Sequence, residues 1–249
     1  MYSKSTEPHV KTISDSVYYT LRKNIIELNL KPGTSISIKS IADELGVSRS
    51  PVRDAVIKLG KEGLIDSIPQ SSTMVSKIDL SRVDEERFLR ETLEEKTLLL
   101  FLETYKEKDT NLLKERIRQQ RTFLGQGKYG EFLNWDDLFH EVFFQVTRKE
   151  ICWDLIKSMS GHYRRVRFMS LWDDSMMLHL IEEHETILKC LINRDEIGTT
   201  SILKKHCSQQ ENEEKILRKK YPDYFSISKK EKGDGEESYL RKDFLFISR

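Results

Sequence analysis

The stretch that most constrains this chain runs from Val47 to Val56, Val-Ser-Arg-Ser-Pro-Val-Arg-Asp-Ala-Val. Ser48 is a good helix start, because its hydroxyl can accept a bond from a free first-turn amide. Pro51 then falls in the first turn, where its missing N–H costs little. Arg49 and Arg53 are four residues apart and share one face, while Val52, Val56 and Leu59 share another. Two guanidinium forks outside and an apolar face inside suit a DNA major groove, since the fork matches the two acceptors on a guanine edge. Taken alone, the same helix reads equally well as a surface helix with two solvated arginines. What precedes it decides. Ser37 to Leu45 places Ile38, Ile41, Ala42 and Leu45 on one face, and Gly46 closes that helix. Helix, glycine turn and basic helix make a helix-turn-helix. Residues 64–68 and 73–78 then read as two short strands around Pro69-Gln70-Ser71-Ser72, the hairpin of a winged helix.

The remainder has a different texture. Between Pro69 and Pro222 there is no proline, and long segments of helical period follow one another at about 81–105, 110–124, 128–147, 150–169, 174–193 and 196–219. Ser81 with Asp84 three later can cap the first of them. The expected fold is therefore mainly α: an N-terminal winged helix-turn-helix, its first helix at about 14–28, followed by an all-α six-helix bundle. The divisions expected are a flexible N-terminus (1–12), the winged helix (13–78), the helical domain (79–222) and a polar C-terminal tail (223–249).

Composition excludes some classes. Cations and anions nearly cancel, 42 against 41, although residues 1–78 carry a small basic excess of 11 against 8. Attraction to phosphate needs only such a local patch. The three cysteines, Cys152, Cys190 and Cys207, have no paired spacing, which fits a reducing cytoplasm. No apolar run approaches membrane-spanning length. A cytoplasmic protein with no membrane partner is expected.

Four residues of the helical domain suggest a metal site. Asp136 and His140 are four apart on one helix. His184 lies 11 residues before Asp195, in a turn, and His206 lies 11 after it. In an antiparallel pair, equal distance from the turn means equal height, about 16 Å at 1.5 Å per residue. The two imidazoles can then face each other, and a neighbouring Asp136–His140 helix would complete one Asp and three His inside the bundle. Singly, each is more readily a satisfied helix histidine; the matched heights favour the cluster. Such a set suits zinc, nickel, manganese or iron, and imidazole and carboxylate alone do not choose among them; zinc is the metal expected first. Cys207 points about 100° away from His206 and is not counted as a ligand. Arg164, Arg167 and His162 either approach the same pocket or form a cationic face in water.

These residues also carry a resemblance. Leu-Lys-Pro-Gly at 30–33, Ile-Ala-Asp-Glu-Leu-Gly-Val-Ser-Arg-Ser-Pro-Val-Arg-Asp-Ala at 41–55 and Leu-(x3)-Gly-Leu-Ile at 59–65 resemble the N-terminal domain of GntR-family bacterial transcription regulators. The resemblance implies that Arg49 and Arg53 read bases while Lys39, Ser48 and Ser50 contact DNA, mostly at phosphates. At the wing tip, where the family usually has glycine, this chain has Gln70-Ser71-Ser72. Asp-(x3)-His at 136–140, Glu-His-(x2)-Ile-Leu at 183–188, Asp195, His206 and Arg90-(x3)-Glu94 resemble the FCD effector domain of the FadR subgroup. That resemblance implies a divalent metal on Asp136, His140, His184 and His206, and a small organic acid effector held by the metal and by Arg90. The reading is a homodimeric regulator, a repressor by preference, whose grip on a palindromic operator in double-stranded DNA is controlled by that metabolite. The alternative is a metal-dependent enzyme fused to a DNA-binding domain. No HExxH-like spacing supplies the general base such an enzyme would want.

Overall fold

The computed structural model of the chain describes residues 12–68, 72–208 and 210–226. The N-terminal residues 1–11, most of the wing turn (69–71), residue 209 and the tail from 227 lie outside the described residues. The chain begins with α1 (Ile13–Ile26), capped by the Thr12 hydroxyl, which accepts the Asp15 amide. Val17, Leu21 and Ile25 of its apolar stripe are buried, while Ile13 at its first position stays exposed. Next comes α2 (Ile38–Leu45), ended by Gly46 at φ 65°, a left-handed conformation that glycine adopts without steric cost. The basic helix α3 (Arg49–Lys61) follows. Ser48 is its N-cap residue, but its hydroxyl makes no capping bond. The reason is Pro51: it occupies the third helical position and removes one of the two amides that a cap oxygen uses. The wing strands β1 (Ile65–Ile68) and β2 (Ser72–Val75) pair antiparallel, Ile65 opposite Val75 and Ile68 opposite Ser72. One core, including Val17, Ile25, Val52, Leu59, Leu64 and Val75, holds this unit together.

The second part is all helix: α4 (Leu80–Thr104), α5 (Glu107–Thr122), α6 (Tyr129–Val146), α7 (Glu150–Ser158), α8 (Gly161–Ser170), α9 (Asp174–Ile192), α10 (Glu196–Ser208) and α11 (Gln210–Lys220). Its cap is Asp79 rather than Ser81: the Asp79 carboxylate accepts the Ser81 amide at 2.9 Å. The segment expected at 150–169 is divided in two between Ser158 and Gly161. A tertiary contact explains the division. A Cβ on Gly161 would lie 2.8 Å from the buried Leu64 side chain, so the backbone turns there to seat α8 on the winged helix. The segment expected at 196–219 is described as α10 and α11 on either side of residue 209.

A second core, with Phe101, Phe132, Phe139, Phe143, Val166 and Ile181, fills this bundle. The chain after Pro222, expected as tail, stays ordered through a short 3-10 turn (Pro222–Tyr224) to Ser226. There Phe225 is buried beside Ile78, and the Ser226 amide donates to the Ile78 carbonyl at 2.9 Å. Among the described residues, no helix is long and apolar enough to cross a membrane.

Candidate metal centre and nucleic-acid interface

On α3 the helical period separates two faces, as the sequence suggests. Val52, Ala55, Val56 and Leu59 are buried against α1 and α2. Arg49, Ser50 and Arg53 are exposed, as are Ser48 just before the helix and Lys39 on α2. Neither Arg49 nor Arg53 makes an ion pair with a described residue, so both forks remain available to an external partner. The Ser48 hydroxyl, free of a capping bond, is available in the same way.

Behind this unit, the bundle brings four donors together. One ligand atom each from Asp136 and His140 of α6, His184 of α9 and His206 of α10 lie within 4.8 Å of one another. All four residues are buried, the first three at 0 % exposure and His206 at 6 %. The three imidazole rings lie mutually close, with centroids 4.9–5.3 Å apart.

Each donor is held from its far side. His140 Nδ1 lies 3.0 Å from a Glu94 oxygen on α4, His184 Nδ1 is 2.8 Å from Gln120 Oε1 on α5, and His206 Nδ1 is 2.8 Å from Glu183 Oε2 on α9. Arg167 of α8 donates to Asp136 Oδ2. These outer contacts orient the inner atoms. What remains toward the centre is Asp136 Oδ1, His140 Nε2 and His184 Nε2, buried and without a hydrogen-bond partner. Unpaired buried polar atoms are costly, and three converging ones need a common partner. Outer partners that fix ring orientation and tautomer are what a metal-binding histidine requires. The residues present therefore fit a single divalent cation.

The electrostatics agree. Burial opposes a charged Asp136, but Arg167, His140, His184 and Arg90 together outweigh it and hold the carboxyl well below its usual range. Burial pushes His140 down to about 4 against the pull of Glu94, and pushes His184 well down. Both rings are thus neutral near pH 7, the form that ligates. Arg90, 4 % exposed, donates through Nε to Glu94 at 2.7 Å. Its Nη2 lies 3.9 Å from Asp136 Oδ2 with no hydrogen-bond partner.

A pH dependence of stability follows. His140, His162 (about 2) and His184 are all depressed by burial below their unfolded value of about 6.5. The unfolded chain then binds more protons below that value, and stability falls as the pH drops through it. Glu86, raised by burial to about 7, and Glu27 and Asp66, also raised, work in the opposite direction over part of that range, against three depressed histidines. The melting temperature of chelator-treated protein is expected to fall steadily from about pH 7 to about pH 5. A flat profile across that interval would contradict buried neutral histidines.

The alternatives left open for α8 are decided here, and for Arg167 the approach to the pocket holds. Arg164 and Arg167 are not a solvated cationic face: both pair with Asp137, and Arg167 reaches Asp136 as well. His162 turns away from the centre, toward the winged helix, with Nε2 3.0 Å from the Gly63 carbonyl. Sequence reasoning missed Gln120 altogether, and it met Glu183 only as part of the word at 183–188, not as a partner of His206. Glu183 is adjacent to His184 yet serves His206, and nothing in local spacing points to either.

Comparison with known proteins matches the same two units. Residues 13–75 match the family described as bacterial regulatory proteins, gntR family, and residues 87–209 match the FCD domain. The chain is a GntR-family transcriptional regulator with an FCD domain. It is 29 % identical over 214 residues, 86 % of this chain and 94 % of the other, to the HTH-type transcriptional repressor RspR of Escherichia coli. An uncharacterized HTH-type regulator of Streptomyces ambofaciens is 27 % identical, over 87 % of this chain and 91 % of its own. The solved structure of E. coli McbR/YncC superposes with a TM-score of 0.71 at 21 % identity, covering 84 % of this chain and 99 % of that one, which bears on the fold alone. This GntR/FCD protein is a DNA-binding regulator. Its relatives are regulators too, which removes the enzyme alternative.

Proposed function

We propose that this GntR/FCD regulator is a homodimeric, cytoplasmic repressor whose operator affinity is set by a small carboxylate bound at a metal centre in its helical domain. The observation that carries the reading is the inward convergence of Asp136 Oδ1, His140 Nε2 and His184 Nε2 without partners, with His206 beside them. Asp136, His140, His184 and His206 would hold the cation, and zinc suits a set of three imidazoles and one carboxylate. When bound, the cation supplies a Lewis-acid anchor for a ligand oxygen. Arg90 supplies the second anchor: its unpartnered Nη2 can donate to a carboxylate at the same centre. The ligand is small, because every donor is nearly or fully buried.

Arg49 and Arg53 would read base edges in the major groove, and Lys39, Ser48 and Ser50 would grip phosphates. One short helix per groove gives little affinity. Two copies related by a two-fold axis would read a palindrome with half-sites about one helical turn, roughly 34–36 Å, apart. Repression is favoured because the similar E. coli RspR carries that description.

Two measurements on purified protein test this reading. Titration with zinc against a chromophoric chelator is expected to give one tight site per chain, abolished in His184→Ala. Binding to DNA from the protein's own upstream region is then followed with and without a panel of small mono- and dicarboxylates. At least one acid is expected to shift the zinc-loaded protein's affinity by about fivefold or more. Zinc binding without any response to any acid would leave a purely structural metal and end the effector reading.

A further inference from the structure

The sequence Gly161-His162-Tyr163-Arg164-Arg165-Val166-Arg167 packs three arginines and a histidine into two turns of α8. Helical period sorts them into two sets. Arg164 and Arg167 point toward α6 and hold the Asp136–Asp137 pair. Gly161, His162 and Arg165 point the other way, into the winged helix.

What they grip there is specific. The turn Glu62-Gly63-Leu64 directly follows α3, the basic helix. His162 Nε2 donates to the Gly63 carbonyl, while His162 Nδ1 accepts the Asp79 amide at 3.0 Å, which fixes the ring as the Nε2–H tautomer. Arg165, fully buried, donates to the Ser76 carbonyl at 2.6 Å and to Ser76 Oγ at 3.2 Å. The Ser76 hydroxyl in turn donates to the same Gly63 carbonyl at 2.6 Å. Leu64 lies under Gly161 with no room for a side chain between them. The N-terminal amides of α8 are anchored to α4 through Glu86 Oε2, which accepts from His162 at 2.9 Å and Tyr163 at 2.8 Å. Other links between the two units include a single exposed bond from Arg22 to the Lys157 carbonyl at 2.7 Å and one from Arg82 of α4 to the Glu62 carbonyl at 3.2 Å.

We propose that α8 is the element that couples the metal centre to the recognition helix, with Arg167 as its contact to the centre and His162 and Arg165 as its latch on the end of α3. This rests on the reading of Asp136, His140, His184 and His206 as a metal site. A ten-residue helix is stiff, so a change in how Asp136 is held at one face is passed to the Gly63 turn at the other as a small rotation or shift. Asp136 presents Oδ1 to the centre and Oδ2 to Arg167, so both share one carboxylate. The angle at which α3 is offered to a groove then depends on occupancy of a centre it never touches.

The test uses the full chain, zinc as the probe, and backbone hydrogen exchange read residue by residue. In the wild-type protein zinc is expected to slow exchange within α6, α9 and α10, and also in the segment from Gly63 to Asp79, by about fivefold or more at the Asp79 amide. In Arg165→Met, zinc affinity is expected to stay within about twofold of wild type, while the zinc effect on 63–79 disappears. Arg165→Lys, which keeps a cation able to reach the Ser76 carbonyl, is expected to restore part of it. Should Arg165→Met not fold, Ser76→Ala removes the hydroxyl that bonds both Arg165 and Gly63 and serves the same purpose. A latch variant that keeps the full zinc response at 63–79 overturns the proposal, as does a wild-type protein that binds zinc with no response there. A wild-type protein that binds no zinc fails the metal reading itself, which the chelator titration reports separately.

Discussion

Arg49→Ala combined with Arg53→Ala is expected to weaken binding to the operator by about 30-fold or more and to flatten its sequence preference. Each bidentate arginine–guanine contact is worth about 1–3 kcal/mol of discrimination, and tenfold in affinity corresponds to about 1.4 kcal/mol. Binding to unrelated DNA should change far less, since it rests on phosphate contacts. Because both side chains are exposed and make no ion pair within the described residues, the melting temperature and zinc binding of the double variant should match wild type. Lys39→Ala is the contrasting case: as a proposed phosphate contact, its loss is expected to weaken the grip on every sequence and make the salt dependence shallower by about one. Competition binding between operator and scrambled duplexes at two salt concentrations measures all of this. Retention of sequence preference in the double variant would show that α3 is not the reading helix.

The largest effect on stability is expected from Asp136→Ala. Asp136 is fully buried, accepts from Arg167 and lies 3.9 Å from the Arg90 guanidinium. Removing it leaves those buried cations with less negative charge than they need, and breaking a buried pair costs about 3–5 kcal/mol. That is roughly a fifth or more of the stability of an ordinary domain, about 5–15 kcal/mol. The loss should appear in denaturant unfolding with chelator present, where no metal contributes. Zinc should then fail to restore it, because the variant also lacks a ligand. His206→Ala separates the two effects: in chelator it is expected to lose much less, since its partner Glu183 also faces His179, while the gain on adding zinc disappears. If Asp136→Ala in chelator were as stable as wild type, the electrostatic account of this core would be wrong.

The winged helix and the four candidate ligands were legible because their signals are local or nearly so. Gly46 marks a helix end, Arg49 and Arg53 share a face by spacing, and Asp136 and His140 share another. His184 and His206 could be paired because a short turn makes height along an antiparallel pair a matter of counting. Capping was less legible: Pro51 takes an amide from Ser48, and Asp79 displaces Ser81, each by competition among neighbours for a few amides.

The amino-acid order thus determined most of the helical segments, which faces are polar, that Asp136 and His140 share a face and that His184 and His206 share a level. Only the tertiary structure decided what holds those donors and where α8 points. Gln120 meets His184 across 64 residues, Arg167 meets Asp136 across 31, and Arg165 meets Ser76 across 89. Periodicity sets the direction of a side chain about its own helix axis; it carries nothing about which other helix lies opposite, and packing of the whole core makes that choice.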